Sequence, residues 1–172
     1  QNFLEKSAAA GATGDPFLGP SGIEVLVSRS YRDAVQPPAS KAQELEEARF
    51  IEVTRGIIQD LAQAGNAVIV GRGSNIILKD FPGSLHICCI GSFPVRVERM
   101  MRRERCDLAK AEQITKEREA DRVAFFRKFF KVHPSEPSLY HLVINTDRVP
   151  MNLAVSVVCS MAKSLESQTN RR

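Results

Sequence analysis

Three short apolar runs constrain this chain more than any other feature. They are Ala67 to Val70 (AVIV), Leu85 to Ile90 (LHICCI) and His141 to Asn145 (HLVIN). Each is too short for a buried helix and has no polar residue on alternate positions. Such runs suit strands covered on both faces. The stretches between them read as helices. Strands alternating with helices imply an α/β fold, with a parallel sheet flanked by helices on both faces. In such sheets ligands bind at the carboxyl ends of the strands. That rule gathers Gly71-Arg72-Gly73, Gly91-Ser92 and Asn145-Thr146-Asp147 into one expected rim.

The helices are legible from periodicity. From 41 to 64, Phe50, Val53, Ile57, Ile58 and Leu61 fall on one face, Ser40 with Gln43 forms a capping box, and Gly65 supplies the stop. Pro94 suits the first turn of a helix carrying Val97, Met100 and Met101 inward. A basic helix is expected from about Leu108 to Phe130, entered at Asp107, with Phe125, Phe126, Phe129 and Phe130 as core. Pro150 opens a last helix whose inward face is Leu153, Ala154, Val157, Val158, Met161 and Leu165, and a polar tail is expected from 167 to 172. Residues 1–40 are rich in Ala, Gly, Pro and Ser at their start and read as a loop-rich arm with part of a substrate-binding region. Within it, residues 23–35 are ambiguous between strand and helix. The core spans 41–166.

Net charge is +4, and one segment holds the whole excess. Between 96 and 131 there are twelve Lys and Arg against seven Asp and Glu; elsewhere there are twelve against thirteen. The partner of this surplus is phosphate on a small ligand or nucleic acid, unless the surplus is simply a solvated helical face. No apolar run reaches the roughly 20 residues a membrane helix needs. The four cysteines, Cys88, Cys89, Cys106 and Cys159, show no zinc spacing and read as reduced, buried thiols of a cytoplasmic protein.

Arg72 is the most informative single residue. A strand ending in Gly-Arg-Gly puts a guanidinium on a tight turn at the rim, and its planar fork suits phosphate oxygens. Arg99, Arg102, Arg103, Arg105, Arg118, Arg122 and Arg127 form a second constellation on two successive helices. Arg118 and Arg122 are four apart and share a helix face, with Glu119 and Asp121 partly offsetting them. Phosphoryl transfer needs such cations, because its transition state spreads negative charge over equatorial oxygens.

Taken in order, GNAVIVGRGSNIIL, LHICCIGSFPVRVERM, DRVAFFRKFF and LYHLVINTDRVP resemble the cytidylate-kinase-like family of P-loop kinases, over about residues 45 to 160. The resemblance implies a P-loop-type five-stranded sheet with a mobile LID at about 106–131. It implies transfer of the ATP γ-phosphoryl group, with Mg2+, to a nucleoside monophosphate such as CMP or dCMP. The partners implied are small nucleotides and a second copy of the chain, with nucleic acid and membrane not expected. By position, Gly71, Arg72, Gly73, Asn75 and Glu119 would bind the acceptor. Arg103, Arg118 and Arg122 would act on the transferred phosphoryl group. Asn145 and Thr146 would lie near the adenine of ATP. Ser74-Asn75 replaces the Arg-Asp of ordinary cytidylate kinases in the turn, and Glu119 stands where Asp is common. No GxxxxGK[ST] occurs. The resemblance therefore places the opening strands and phosphate loop upstream of Gln1. In the family's strand order, 2-3-1-4-5, the missing first strand lies between AVIV and LHICCI, so both flanking runs would present unpaired backbone and the chain alone is expected to fold poorly or to rely on another copy. A catalytically inactive nucleotide-binding or regulatory protein of the same fold is the alternative.

Overall fold

The structure, a computed structural model, describes Tyr31, Val35 and residues 41–169. The elements in chain order are α1 (Lys41–Ala64), a single-turn α2 (Ser74–Ile77), β1 (Ile87–Ile90), α3 (Phe93–Glu104), α4 (Leu108–Phe130), a 3-10 turn (Pro137–Leu139), β2 (Leu142–Asn145) and α5 (Met151–Thr169). The fold is mixed α/β. Its sheet has two parallel strands in direct register, Ile87 opposite Leu142 through Ile90 opposite Asn145.

Local chemistry sets the helix bounds. α1 ends where Gly65 turns left-handed (φ 74) and donates its N–H back to the Ala62 carbonyl at 3.2 Å. α4 starts at Asp107, whose carboxylate accepts the Lys110 N–H at 2.8 Å. α3 takes Pro94 in its first turn and closes on left-handed Arg105. The expected capping box at Ser40, and the segment 23–30, lie outside the described residues.

The core sits on α4. Phe125 and Phe126 are buried, with Tyr31, Val35, Phe50, Ile51, Ile76, Phe129, Phe130 and Val132 packed around them. Ring centroids from Phe125 to Tyr31, Phe126, Phe129 and Phe130 lie 4.9–6.0 Å apart, the tilted and edge-on geometries that aromatic quadrupoles favour. A Glu47–Lys128 ion pair at 2.7 Å ties α1 to the same helix. The four phenylalanines are therefore core, as their spacing implies.

Two of the three apolar runs form strands, and the third does not. Residues 67–70 belong to no strand, and Val68 and Val70 are 59% and 67% exposed. The sheet is narrower than the apolar pattern implies. An apolar run is driven inside only when other backbone and side chains cover it, and among the described residues this one joins no sheet and leaves both valines exposed. The same reason corrects α5. Ala154 is buried, whereas Leu153 and Val157, expected inward, are exposed beside Met151 and Val155. Val53 on α1 is exposed too, while Ile58 is fully buried. α5 also runs on to Thr169, beyond the expected start of the tail. Of the cysteines only Cys88 is buried; Cys89 and Cys159 are exposed, and all four thiols are free.

Candidate functional site

The Gly71-Arg72-Gly73 turn is built from three successive left-handed residues, with φ of 78, 56 and 71. A Cβ at Gly71 would stand 2.7 Å from the Tyr31 hydroxyl, and one at Gly73 would run into the Phe130 ring. Both positions thus need glycine for conformation and for space. Between them Arg72 is buried, lies over the Tyr31 ring (5.2 Å to the centroid) and donates its backbone N–H to the Tyr31 hydroxyl at 3.1 Å. The turn then feeds α2, where Asn75 donates weakly to the Leu139 carbonyl at 3.5 Å.

The ends of β1 and β2 meet, whereas the contacts of the Gly71-Arg72-Gly73 turn run to Tyr31 and Phe130. Thr146 donates both its N–H (2.8 Å) and its hydroxyl (2.9 Å) to the Ile90 carbonyl. Ser92 donates its N–H to Asp147 at 2.7 Å, and bonds from the Ser92 hydroxyl and then its N–H hold the Asp147 carboxyl below its ordinary range. Arg99 grips Thr146 twice, on the hydroxyl at 2.7 Å and the carbonyl at 3.0 Å. Thr146 is thereby pinned by its own chain. Asn145 uses its Oδ1 to accept the Asp147 N–H at 3.0 Å, which leaves its amide Nδ2 as the part suited to a ligand.

Arg118 and Arg122 share a face of α4 but part company at their tips. Arg118 reaches α3, donating to Glu104 at 2.8 Å and lying 3.6 Å from the Met100 sulfur. Arg103 stands against the same Glu104 oxygen, Oε1, at 3.4 Å. Arg122 instead donates to the Pro134 carbonyl (3.1 Å) and the Tyr140 hydroxyl (3.4 Å), with its guanidinium 5.7 Å from the Phe126 centroid. Glu119, expected to offset the arginine pair, is taken by Arg96 at 3.0 Å; Glu104 serves Arg118 in its place.

Two cationic groups result. Arg72 and Arg122 both lean on the aromatic cluster, through Tyr31 and Phe126, which each pack on Phe125. Arg103 and Arg118 meet over Glu104 where α3 and α4 pack together. Glu104, Tyr140, Pro134 and Tyr31 escape sequence reasoning. Only Glu104 carries a local signal, as the acid inside the basic run RRERC. Tyr140 donates to the Pro134 carbonyl at 2.6 Å, and burial, then the neighbouring Cys88, raise its hydroxyl above the usual phenol range.

A sequence model described as the cytidylate kinase-like family matches residues 14–148, which includes the Gly-Arg-Gly turn, both strands and the whole of α4. The chain belongs to the cytidylate kinase-like family. Membership makes its function kinase-like and small nucleotides its expected ligands. A crystal structure of an uncharacterized protein from Eubacterium ventriosum shares the fold, with a TM-score of 0.59 at 17% identity over 83% of each chain. No curated protein matches. None of the helices among the described residues is long and apolar enough to cross a membrane.

Proposed function

We propose that this chain is the substrate-side part of a P-loop-type kinase that moves the ATP γ-phosphoryl group to a CMP- or dCMP-like monophosphate. The observation that carries the reading is the Arg72 turn. Within the turn Arg72, a non-glycine residue held left-handed at φ 56, is the strained position, of the sort kept where a site requires it. The glycines let a ligand approach the backbone, and the arginine between them supplies a planar fork for phosphate oxygens. Asn75 and Glu119 stand on the acceptor side of the same scheme, and Asn145 with Thr146 on the adenine side.

In this scheme the protein forms no covalent intermediate. Arg72 holds the acceptor phosphate in line, and Arg122, Arg118 and Arg103 stabilise charge on the oxygens of the group in flight. Arg103 and Arg118 side chains are 63% and 48% exposed, so their donors can reach phosphates arriving from solvent. They fit the phosphate chain of ATP. Among the described residues no three His, Cys, Asp or Glu side chains gather as a metal site. The helical stretch 106–131 acts as the LID. In this scheme the two parallel strands would be strands 4 and 5 of the order 2-3-1-4-5, and the AVIV run would stand in the place of strand 3.

Calorimetric titration of the chain with CMP, dCMP, UMP and AMP tests this reading, alongside a phosphotransfer assay of the whole protein on the same panel. The reading requires CMP or dCMP to bind best, and Arg72→Ala to remove that binding while Arg72→Lys restores it only in part. Equal binding of all four, or indifference to Arg72→Ala, refutes it.

A further inference from the structure

We propose that Glu104 is a built-in competitor for phosphate: its carboxylate occupies the place between Arg103 and Arg118 that a ligand polyphosphate takes by displacing it. This inference rests on the phosphate-binding reading above and goes beyond it by assigning a role to an acid.

The geometry is specific. One oxygen, Glu104 Oε1, faces Arg118 Nη2 at 2.8 Å and Arg103 Nε at 3.4 Å. The two guanidiniums come from different helices, α3 and α4, and this oxygen lies between them. Neighbouring acids behave differently. Glu98 serves Arg102 at 3.3 Å, Glu112 serves Lys116 at 3.7 Å and Glu119 serves Arg96 at 3.0 Å, each one cation. A carboxylate oxygen and a phosphate oxygen offer a guanidinium the same acceptor geometry. Glu104 thus mimics one oxygen of an anionic ligand.

The contact is also easy to open. Arg103, Arg118 and Glu104 side chains are 63%, 48% and 32% exposed, and ion pairs in such surroundings hold weakly. Withdrawal of the carboxylate leaves two like charges side by side, which favours any anion that can span them. A di- or triphosphate spans them better than a single phosphate. While the ligand is away, Glu104 keeps the arginines together at the cost of ligand affinity.

Inorganic tripolyphosphate titrated calorimetrically into the full chain, at fixed moderate salt, provides the test. Glu104→Gln is expected to tighten binding about three- to tenfold, the equivalent of one or two weak ion pairs no longer competing. Glu104→Asp keeps the charge but shortens the reach, so it tightens binding by a smaller factor. Glu112→Gln removes the same charge from a single-cation pair and changes affinity by less than about twofold. Weakened or unchanged binding in Glu104→Gln overturns the proposal. So does a gain in Glu112→Gln equal to that in Glu104→Gln, because general charge removal then explains both. If Glu104→Gln loses its helical circular dichroism, Glu104→Asp decides alone: a gain supports the proposal and no gain refutes it. Arg103→Ala with Arg118→Ala separates the two layers. Unaltered binding in that double variant sinks the phosphate-site reading itself, whereas weakened binding with no gain from Glu104→Gln sinks only the competitor.

Discussion

Gly73→Ala is the sharpest test of how the Arg72 turn is seated. Gly73 has φ 71, and its missing Cβ points into the Phe130 ring. A left-handed backbone costs an L-residue about 1–2 kcal/mol. Forcing a methyl against a packed ring adds about 1–3 kcal/mol of overpacking. Together they predict a loss of about 3 kcal/mol, a large share of the roughly 5–15 kcal/mol that holds an ordinary domain together. For a chain of this size that lowers Tm by about 6–12 °C. Urea denaturation followed by circular dichroism measures it. The steric half of the loss needs Phe130, and the backbone half does not. Phe130→Ala removes the ring, so adding Gly73→Ala to it should cost only the backbone share, giving a coupling energy of about 1–3 kcal/mol. Strict additivity of the two substitutions would refute the claim that the turn rests on the end of α4.

Three further outcomes are expected. In phosphotransfer by the whole protein, Arg72→Ala raises KM for the monophosphate strongly while Arg122→Ala chiefly lowers kcat; small, equal effects undo that division of roles. His86 is held below the ordinary imidazole value of 6.5, first by burial, opposed by its bond to the Leu78 carbonyl, and further lowered by His141. Folding thus favours its neutral form, so its contribution is complete above about pH 6.5 and is lost as pH falls through the folded value. Denaturation at pH 7.5, 6.5 and 5.5 should show that decline, and His86→Asn should flatten it; a rise toward pH 5.5 contradicts the assignment. Phe125→Ala, at the centre of the ring cluster, costs about 3–5 kcal/mol, and a loss below about 1 kcal/mol in urea melts would displace the core from α4.

Much of the architecture is written locally. α1 and α4 run to the residues their caps dictate, because Gly65 and Asp107 act through the backbone of their own turn. The phenylalanine stripe declares the core for the same reason: helical spacing puts it on one side whatever lies opposite. AVIV, Leu153 and Val157 are harder to read. Apolarity records that a residue suits burial, yet burial takes a partner, and the partner is not encoded in the run itself. Pairing of charges is harder still. The four-residue spacing of Arg118 and Arg122 gives a shared face, but the helix packing that sends one to Glu104 and the other to the Pro134 carbonyl is tertiary. Arg72 was conspicuous by its glycines, whereas the aromatic Tyr31 beneath it announces nothing in sequence.

The bare Val68–Val70 stretch also governs how this molecule behaves in company. Among the described residues its amides and carbonyls pair with no strand, so they can act as a template for an extended peptide, with apolar side chains to reinforce the match. Crowding therefore works against the molecule: as concentration climbs, encounters at this margin multiply and clumping competes with staying dispersed. A single lysine at position 70 should act as a gatekeeper, keeping preparations clear at strengths where the parent turns cloudy.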